Sequence, residues 1–221
     1  FTGGSSSGSG GATAAFLCAT SLGEDTGGSV RGPAAWCGLV GLRPTWGRVS
    51  RRGLRPGMWS MDTVGPLSRT VEDCALTLQA IAGHDPQDNY TWDVPVPDYR
   101  AALDGNLAGK RIGVVKELLY TDVVDPEVRN AVSQAANSLA ELGAHVEEIS
   151  IPLTSHANTI SSILRVEAPT NYRELIRDRL QEINHDNRIA YLTWSLTPAL
   201  AYFKALKLRA LLRQQILQAL T

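Results

Sequence analysis

Two short turns with the sequence Gly-Gly-Ser are the part of the chain best suited to chemistry. The first ends at Ser5 and the second ends at Ser29. A serine hydroxyl is a weak nucleophile, and it needs a base for its proton and donors for the charge on the attacked carbonyl oxygen. Gly27 and Gly28 have no Cβ, so the backbone can curl and turn successive N–H groups towards one point. We therefore expect the amides from Thr26 to Ser29 to form an oxyanion hole around Ser29.

The residues themselves leave open which group would activate Ser29. The four histidines lie far along the chain, and neither serine is the central residue of a Gly-x-Ser-x-Gly elbow. A Ser-His-Asp triad depends on geometry rather than chain order, and a second serine with a lysine is the alternative arrangement. Asp25 and Arg31 flank the candidate nucleophile. We expect them to form an ion pair that shapes the loop, rather than to act on a substrate.

The glycine and serine residues at 3–11 have two other interpretations. Alone, they could be a flexible linker, but the apolar run that follows directly favours an ordered segment. A phosphate-binding loop needs a lysine close to its last glycine, and this region has no lysine.

Three longer stretches match a known pattern. They are Gly3-Gly-Ser-Ser-Ser-Gly-Ser-Gly, Glu24-Asp-Thr-Gly-Gly-Ser-Val-Arg-Gly-Pro33, and Asp62-Thr-Val-Gly-Pro-Leu-Ser-Arg-Thr-Val-Glu-Asp73. With these stretches the sequence resembles the amidase signature family, whose members hydrolyse carboxamides with a Ser–cis-Ser–Lys triad. The resemblance is strong from residue 3 to about residue 88 and looser from there to the end.

The resemblance implies a role for several residues. Ser29 would be the nucleophile, Ser5 would be the bridging serine after a cis peptide bond, and Ser6 beside it would have a supporting role. The family's lysine lies upstream of the serine loop. The four lysines of this chain all lie downstream: Lys110, Lys116, Lys204 and Lys207. We map none of them onto that role, and we expect the 221-residue chain alone to be inactive.

The function that the resemblance implies is hydrolysis of a carboxamide C–N bond through an acyl-enzyme, with no metal or cofactor. A second interpretation is the glutaminase subunit of a tRNA-dependent amidotransferase, although Arg165-Val-Glu-Ala-Pro-Thr-Asn-Tyr-Arg173 differs from the serine- and asparagine-rich segment expected of that protein. A third is an inactive homologue that acts as a binding module. Four residues either line the substrate pocket or serve packing: Trp36, Met58, Trp59 and Met61.

Composition narrows the setting of the protein. The net charge is −1 and 43% of the residues are hydrophobic. Near-neutral charge argues against broad binding to nucleic acid or a membrane surface. No long apolar run and no signal peptide are found, so we expect a cytoplasmic protein. Its expected partner is a small-molecule amide, and a homodimer is left open. The chain starts inside a motif and stops inside a helical pattern, which indicates a fragment.

Local patterns predict the main elements of the fold. Thr70 is a helix cap before an apolar stretch with helical spacing. Strands at 111–115 and 145–151 enclose a helix that begins at Pro126, and this βαβ order implies parallel strands. We expect an α/β fold with a mixed β-sheet flanked by helices, in one partial amidase signature domain spanning residues 1–221.

Overall fold

The computed structural model describes all residues of the chain, Phe1–Thr221. They form two compact units: Phe1–Asp104 with Thr170–Arg173, and Gly105–Pro169 with Glu174–Thr221. Helices and small sheets occur in both units, which confirms the α/β fold class. This division is finer than the single domain expected from the sequence. Both serine turns belong to the first unit.

An antiparallel sheet of three strands lies at the centre of the first unit. Its order is β1 (Thr20–Asp25), β3 (Thr63–Ser68) and β2 (Val40–Gly41). The register pairs Asp25 with Thr63. The end of β1, where the second serine turn begins, therefore lies beside the start of β3.

Strand β3 is central although it contains Gly65 and Pro66, which are uncommon in central strands. The carbonyl oxygen of Pro66 accepts a hydrogen bond from the Leu42 N–H at 3.1 Å. A Cβ atom at Gly65 would lie 2.0 Å from the carbonyl oxygen of Leu42, so this close approach requires glycine. Tertiary packing, rather than strand propensity, thus explains an element that the sequence alone does not predict.

Three helices cover the sheet of the first unit: α1 (Ser7–Ala14), α2 (Arg31–Trp36) and α3 (Val71–Ile81). The Thr70 side chain caps α3, as predicted, by accepting a hydrogen bond from the Asp73 N–H at 3.0 Å. A buried hydrophobic cluster packs helix α2 against strand β3. Its members are Val30 directly before α2, Ala34 within α2, and Leu67 in β3.

Helix α1 is made of small residues, and this composition lets it approach its neighbours closely. A Cβ atom at Gly10 would lie 3.1 Å from the Cβ of Pro33 in α2. On the side of β1, Ser9 Oγ donates to the carbonyl oxygen of Leu22 at 2.8 Å. Helix α1 is therefore held against both α2 and β1, and it fixes the chain that leaves the first serine turn.

The second unit begins with a βαβ arrangement. Strands β4 (Arg111–Val115) and β5 (His145–Ile149) are parallel, which confirms the predicted pairing. Between them lie the short helix α4 (Lys116–Leu119) and the longer helix α5 (Pro126–Glu141), which Asp125 caps. A mixed sheet contains both parallel and antiparallel strand pairs. Here the antiparallel pairs lie in the sheet of the first unit and the parallel pair lies in the sheet of the second unit.

Helices make up the rest of the chain. They are α6 (Ala157–Leu164), α7 (Glu167–Asn171), α8 (Arg173–Asp178), α9 (His185–Ser195) and α10 (Ala199–Ala219), with short 3-10 helices at Pro152–His156 and Leu180–Glu182. Helix α10 begins directly after Pro198. Leu164 of α6 and Ala205 of α10 are fully buried where these helices pack. None of the helices has the length and apolar character needed to cross a membrane.

Candidate active site

The two serine turns meet through their backbones. The peptide bond between Gly4 and Ser5 is cis, as the resemblance implies. The N–H of the next residue, Ser6, donates to the carbonyl oxygen of Ser29 at 3.2 Å. Ser5 is exposed and Ser29 is half-buried. The fold therefore brings together two turns that are far apart in the sequence.

Ser6 depends on a glycine that sequence reasoning did not identify. The Ser6 hydroxyl lies on β1, where it donates to the carbonyl oxygen of Glu24 at 3.4 Å. A Cβ atom at Gly23 would lie 2.4 Å from Ser6 Oγ and 3.0 Å from Val30 Cγ2. Gly23 thus provides the space in which the supporting serine lies.

Asp25 organises the second serine turn. Its carboxylate is fully buried. Oδ1 accepts from the N–H of Gly28 at 2.7 Å, and Oδ2 accepts from the N–H groups of Val30 at 3.2 Å and Arg31 at 3.3 Å. Gly28 has a φ angle of 128°, which residues with a side chain rarely adopt. One carboxylate therefore holds the backbone on both sides of Ser29.

The ion pair expected between Asp25 and Arg31 is present. Arg31 Nε donates to Asp25 Oδ2 at 3.0 Å and Nη2 donates to Oδ1 at 3.1 Å. Burial alone would raise the pKa of Asp25, but the hydrogen bonds from Arg31 and from the Gly28 amide lower this pKa to about 2. Asp25 is therefore ionised at neutral pH. Its negative charge strengthens the hydrogen bonds that it accepts from these donors.

A second arginine, Arg43, binds the same turn. Its Nη1 donates to Asp25 Oδ1 at 3.2 Å and to the carbonyl oxygens of Asp25 and Thr26, while Nη2 donates to the carbonyl oxygen of Met61. Arg43 thus connects the serine turn to the segment before β3. Its surroundings in the sequence, Gly-Leu-Arg-Pro, carry no local sign of this role.

The segment Thr26–Ser29, here named the oxyanion loop, offers fewer donors than expected. The N–H of Gly28 already donates to Asp25 Oδ1. The N–H groups of Thr26, Gly27 and Ser29 make no hydrogen bond within the chain. Because an oxyanion hole needs N–H groups that no internal acceptor uses, the candidate donors are reduced to these three.

A second buried carboxylate, Asp62, binds the oxyanion loop from the side of β3. Its Oδ1 accepts from Thr26 Oγ1 at 2.6 Å, and its Oδ2 accepts from the N–H groups of Gly57 and Met58 at 2.8 Å each. The Glu24 carboxyl group lies within hydrogen-bonding reach of Asp62. Burial, followed by the charge of Asp62, raises the pKa of Glu24 to about 7. Sequence reasoning gave neither carboxyl group a role.

The structure separates the four residues that were expected either to line a pocket or to pack. Met58 is buried in the core. Trp36 is mostly exposed and packs edge-to-face against Phe1. The carbonyl oxygen of Met61 accepts from Arg43. Trp59 lines a cavity of about 260 Å³ in the first unit. Other residues that line this cavity are Arg51, Leu54, Asp62 and Tyr90.

The side chains that could act as a base are divided between the units. The first unit contains no lysine, because the four lysines and three histidines belong to the second unit: Lys110, Lys116, Lys204, Lys207, His145, His156 and His185. The remaining histidine, His84, has Nδ1 at 3.2 Å from Thr91 Oγ1. No group of three or more histidine, cysteine, aspartate or glutamate side chains is placed to hold a metal ion.

A family model described as Amidase matches residues 1–219 of this chain. The chain belongs to the amidase signature family. A curated relative, a glutamyl-tRNA(Gln) amidotransferase subunit from Geobacter metallireducens, is 41% identical over 98% of this chain and 50% of the relative. This member of the amidase family therefore spans about half the length of the curated relatives that it matches.

Solved structures of other family members share the fold. One belongs to an inhibitor-bound "vestigial protein complex" linked to the origins of an s-triazine catabolic enzyme, with a TM-score of 0.91, 33% identity, and coverage of 99% of this chain and 47% of that chain. The peptide amidase from Stenotrophomonas maltophilia gives a TM-score of 0.74 and 33% identity over 91% of this chain and 46% of that chain. These likenesses support the amidase signature fold for this chain.

Proposed function

We propose that the protein is an amide hydrolase that cleaves a carboxamide C–N bond through a Ser–cis-Ser–Lys mechanism. The hydrogen bond that joins the two serine turns, from the Ser6 N–H to the Ser29 carbonyl oxygen, carries this proposal. Ser29 attacks the carbonyl carbon, and Ser5 passes the proton of Ser29 onwards. The amine or ammonia then leaves, and water releases the acyl group from Ser29.

The charge that develops on the carbonyl oxygen is assigned to the oxyanion loop. The N–H groups of Thr26, Gly27 and Ser29 are the proposed donors, and removing one such donor typically costs about 3 kcal/mol of transition-state stabilisation. Asp25 and Arg31 act on the loop and not on the substrate, because their hydrogen bonds are made within the turn. No step of this mechanism uses a metal or a cofactor.

The lysine of the triad is not assigned to any residue of this chain. It must accept the proton from Ser5 and must therefore be neutral and within hydrogen-bonding reach of that serine. The unit that contains the serines has no lysine. We therefore propose that the 221-residue chain alone does not hydrolyse amides. Turnover equal to that of the full-length protein would place the base within these residues, and each lysine and then each histidine would be substituted in turn.

A panel of carboxamides tests the reaction itself. The full-length protein is incubated with small aliphatic amides, aromatic amides and peptide amides, and the ammonia or amine released is measured. We expect hydrolysis of at least one small amide without an added metal, cofactor or partner protein. Absence of turnover across the panel, with a folded protein, would contradict the proposal.

The second candidate function is that of the glutaminase subunit of a tRNA-dependent amidotransferase. It is favoured by one observation, the 41% identity to the Geobacter metallireducens amidotransferase protein. Such a protein would need partner chains and a path for ammonia. Release of ammonia from glutamine only in the presence of amidotransferase partner chains would support this candidate. An inactive homologue that serves as a binding module would release ammonia under neither condition.

We also propose that both units are parts of one amidase signature domain and that the protein is cytoplasmic. The family model spans both units, which supports the first statement. The name of the curated relative, an amidotransferase that uses tRNA, supports the second. Limited proteolysis that released either unit as a stable fragment would contradict a single domain, and cell fractionation would test the location.

A further inference from the structure

We propose that Asp62 is a positioning residue for the oxyanion loop, and that it holds Thr26 in place only while the neighbouring Glu24 carboxyl group carries a proton. The proposal rests on the amide hydrolase function proposed above. It adds to that function a pair of neighbouring carboxyl groups, one of them fully buried, that act through the loop and not on the substrate.

The strand register explains why Asp62 meets the oxyanion loop. Strand β1 ends at Asp25, which pairs with Thr63 at the start of β3, so Thr26 follows the one end and Asp62 precedes the other. The Thr26 hydroxyl donates to Asp62 Oδ1 at 2.6 Å. Asp62 is fully buried and is itself fixed by the N–H groups of Gly57 and Met58. A short hydrogen bond to a fixed, buried carboxylate therefore anchors the first residue of the oxyanion loop.

Glu24 of β1 pairs with Val64 of β3, so Asp62, two residues before Val64, is its diagonal neighbour. Its carboxyl group therefore approaches Asp62 diagonally, and its Oε1 atom is buried without a hydrogen-bond partner. Burial and then the Asp62 charge raise the pKa of Glu24 to about 7. In the protonated form, the Glu24 hydroxyl can donate to Asp62, whereas two ionised carboxylates at this partly buried position would repel each other.

The positive charges near this pair do not neutralise it. Arg51 lowers the pKa of Glu24, but its Nη1 donates to the carbonyl oxygens of Trp59 and Asp62 rather than to a carboxylate. Arg43 is attracted by Asp62, yet its hydrogen bonds go to Asp25 and to backbone carbonyl oxygens. Asp25 is the other nearby carboxylate, and it is paired within the serine turn. Glu24 is therefore the group whose proton decides how Asp62 is held.

The expected consequence is a loss of catalysis as Glu24 ionises. Repulsion between the two carboxylates shifts the Asp62 carboxylate against its hydrogen bonds from Gly57 and Met58, the Thr26 hydroxyl loses its acceptor, and the N–H donors of the loop leave their positions. Because these donors act on the transition state, kcat should fall while KM changes little.

The first experiment compares full-length wild type with Glu24→Gln, whose amide can donate to Asp62 at every pH. We expect the ratio of wild-type to variant kcat to fall about tenfold between pH 6 and pH 9, with a midpoint near 7, since a small misplacement of catalytic groups can cost that much or more. The KM ratio should stay constant. Glu72→Gln, which changes an exposed glutamate of α3, is the matched control and should give a flat ratio. A flat kcat ratio for Glu24→Gln would overturn the proposal.

The second experiment tests the contact between Asp62 and Thr26 with Asp62→Asn, Thr26→Val and the double variant. Each single change should lower kcat by about tenfold or more, and the double variant should lose no more than the larger single loss. Losses that multiply would overturn the positioning role. Asp62→Asn can fail to fold, because Asp62 is buried. In that case the test uses Thr26→Val with and without Glu24→Gln. The two should show the same dependence of kcat on pH.

A third measurement does not depend on activity. The free energy of unfolding of wild type minus that of Glu24→Gln is followed with pH. Because the pKa of Glu24 is raised, its stabilising contribution is complete below its unfolded-state pKa of 4.5 and is lost as pH rises through about 7. An inactive wild type would overturn the proposed function together with this inference. An active wild type without this loss of stability would overturn the inference alone.

Discussion

Two charged clusters in this chain use the same types of residue in different surroundings. In the first unit, the buried Asp25 accepts hydrogen bonds from backbone amides and from the side chains of Arg31 and Arg43. In the second unit, Arg179 and Glu182 form an ion pair in which more than half of each side chain is exposed, 63% and 55%. Both clusters are ion pairs between an arginine and a carboxylate, so their difference lies in burial and in what else the carboxylate binds.

This difference determines what each cluster can do. Asp25 is bonded to the backbone on both sides of Ser29, so its position defines the shape of the turn. Low local dielectric also strengthens these bonds and makes their loss costly. The Arg179–Glu182 pair is hydrogen-bonded directly but lies at the surface, where solvent screens the attraction and two long side chains lose freedom. A charge therefore shapes the candidate site only where it is buried and bonded to the backbone.

The largest effect is expected for Ser29→Ala in the full-length protein. The substitution removes the proposed nucleophile, and the amidase rate should fall by at least about a thousandfold. The fold should be retained, because the Asp25 network uses the backbone around Ser29 and not its hydroxyl. Initial rates and circular dichroism measure the two effects. Ser138→Ala, at an exposed serine of α5, is the control and should leave both unchanged.

Retention of most activity in Ser29→Ala would move the nucleophile to another residue. Ser5 would then be the first residue to test, because its turn is bonded to the turn of Ser29. That result would also mean that the Asp25 network has no direct part in catalysis, since the turn that it shapes would not contain the reacting atom.

The parts of the fold that the sequence predicts are those encoded by neighbours in the chain. The helix cap at Thr70, the βαβ unit around Pro126 and the glycine-dependent turn at Gly28 each depend on a few consecutive residues. The family resemblance identified the two serines in the same way, through short stretches of fixed spacing. Local patterns are therefore sufficient to indicate the two candidate serine turns.

The parts that could not be predicted depend on contacts between distant residues. Strand β3 contains Pro66, and its position at the centre of the sheet follows from tertiary packing. Without that strand, no pattern places Asp62 beside Thr26 or Glu24. Arg43 is a similar case, because its acceptors lie in two segments on either side of it in the sequence. The network that supports the candidate site is therefore visible only once the strand register is known.

The second-largest effect, after that of Ser29→Ala, is expected for Asp25→Asn and concerns stability. The change leaves Arg31 and Arg43 beside a neutral amide. Removing one partner of a buried ion pair typically costs about 3–5 kcal/mol, and because the Arg31 side chain is 52% exposed we expect a cost near the lower end of that range. Urea unfolding of variant and wild type gives the difference in the free energy of unfolding. A difference close to zero would mean that the turn keeps its shape without the charge of Asp25, and the comparison between the two clusters would fail.

The contribution of the Asp25 charge to stability can also be tested by lowering the pH. The pKa of Asp25 is lowered from 3.8 to about 2, so its contribution is complete above pH 3.8 and is lost as pH falls through about 2. At about 1.4 kcal/mol for each unit, this contribution is about 2 kcal/mol. The difference in unfolding free energy between wild type and Asp25→Asn should therefore shrink by that amount between pH 5 and pH 2. A difference that stays constant over this range would contradict the cause assigned to the pKa.

The smallest effect is expected for Glu182→Gln, which removes the charge from the exposed pair. A hydrogen bond from Arg179 lowers the pKa of Glu182, but both side chains lie largely in water, so the charged forms are well solvated with or without the pair. The urea midpoint and the amidase rate should equal those of wild type within error, both at low salt and at about 0.5 M salt. Low salt is the more demanding condition, because screening is then weakest and any stabilisation by the pair is largest. A loss of stability at low salt as large as that of Asp25→Asn would show that burial is not what separates the two clusters, and the role of Asp25 would then have to come from its backbone contacts alone.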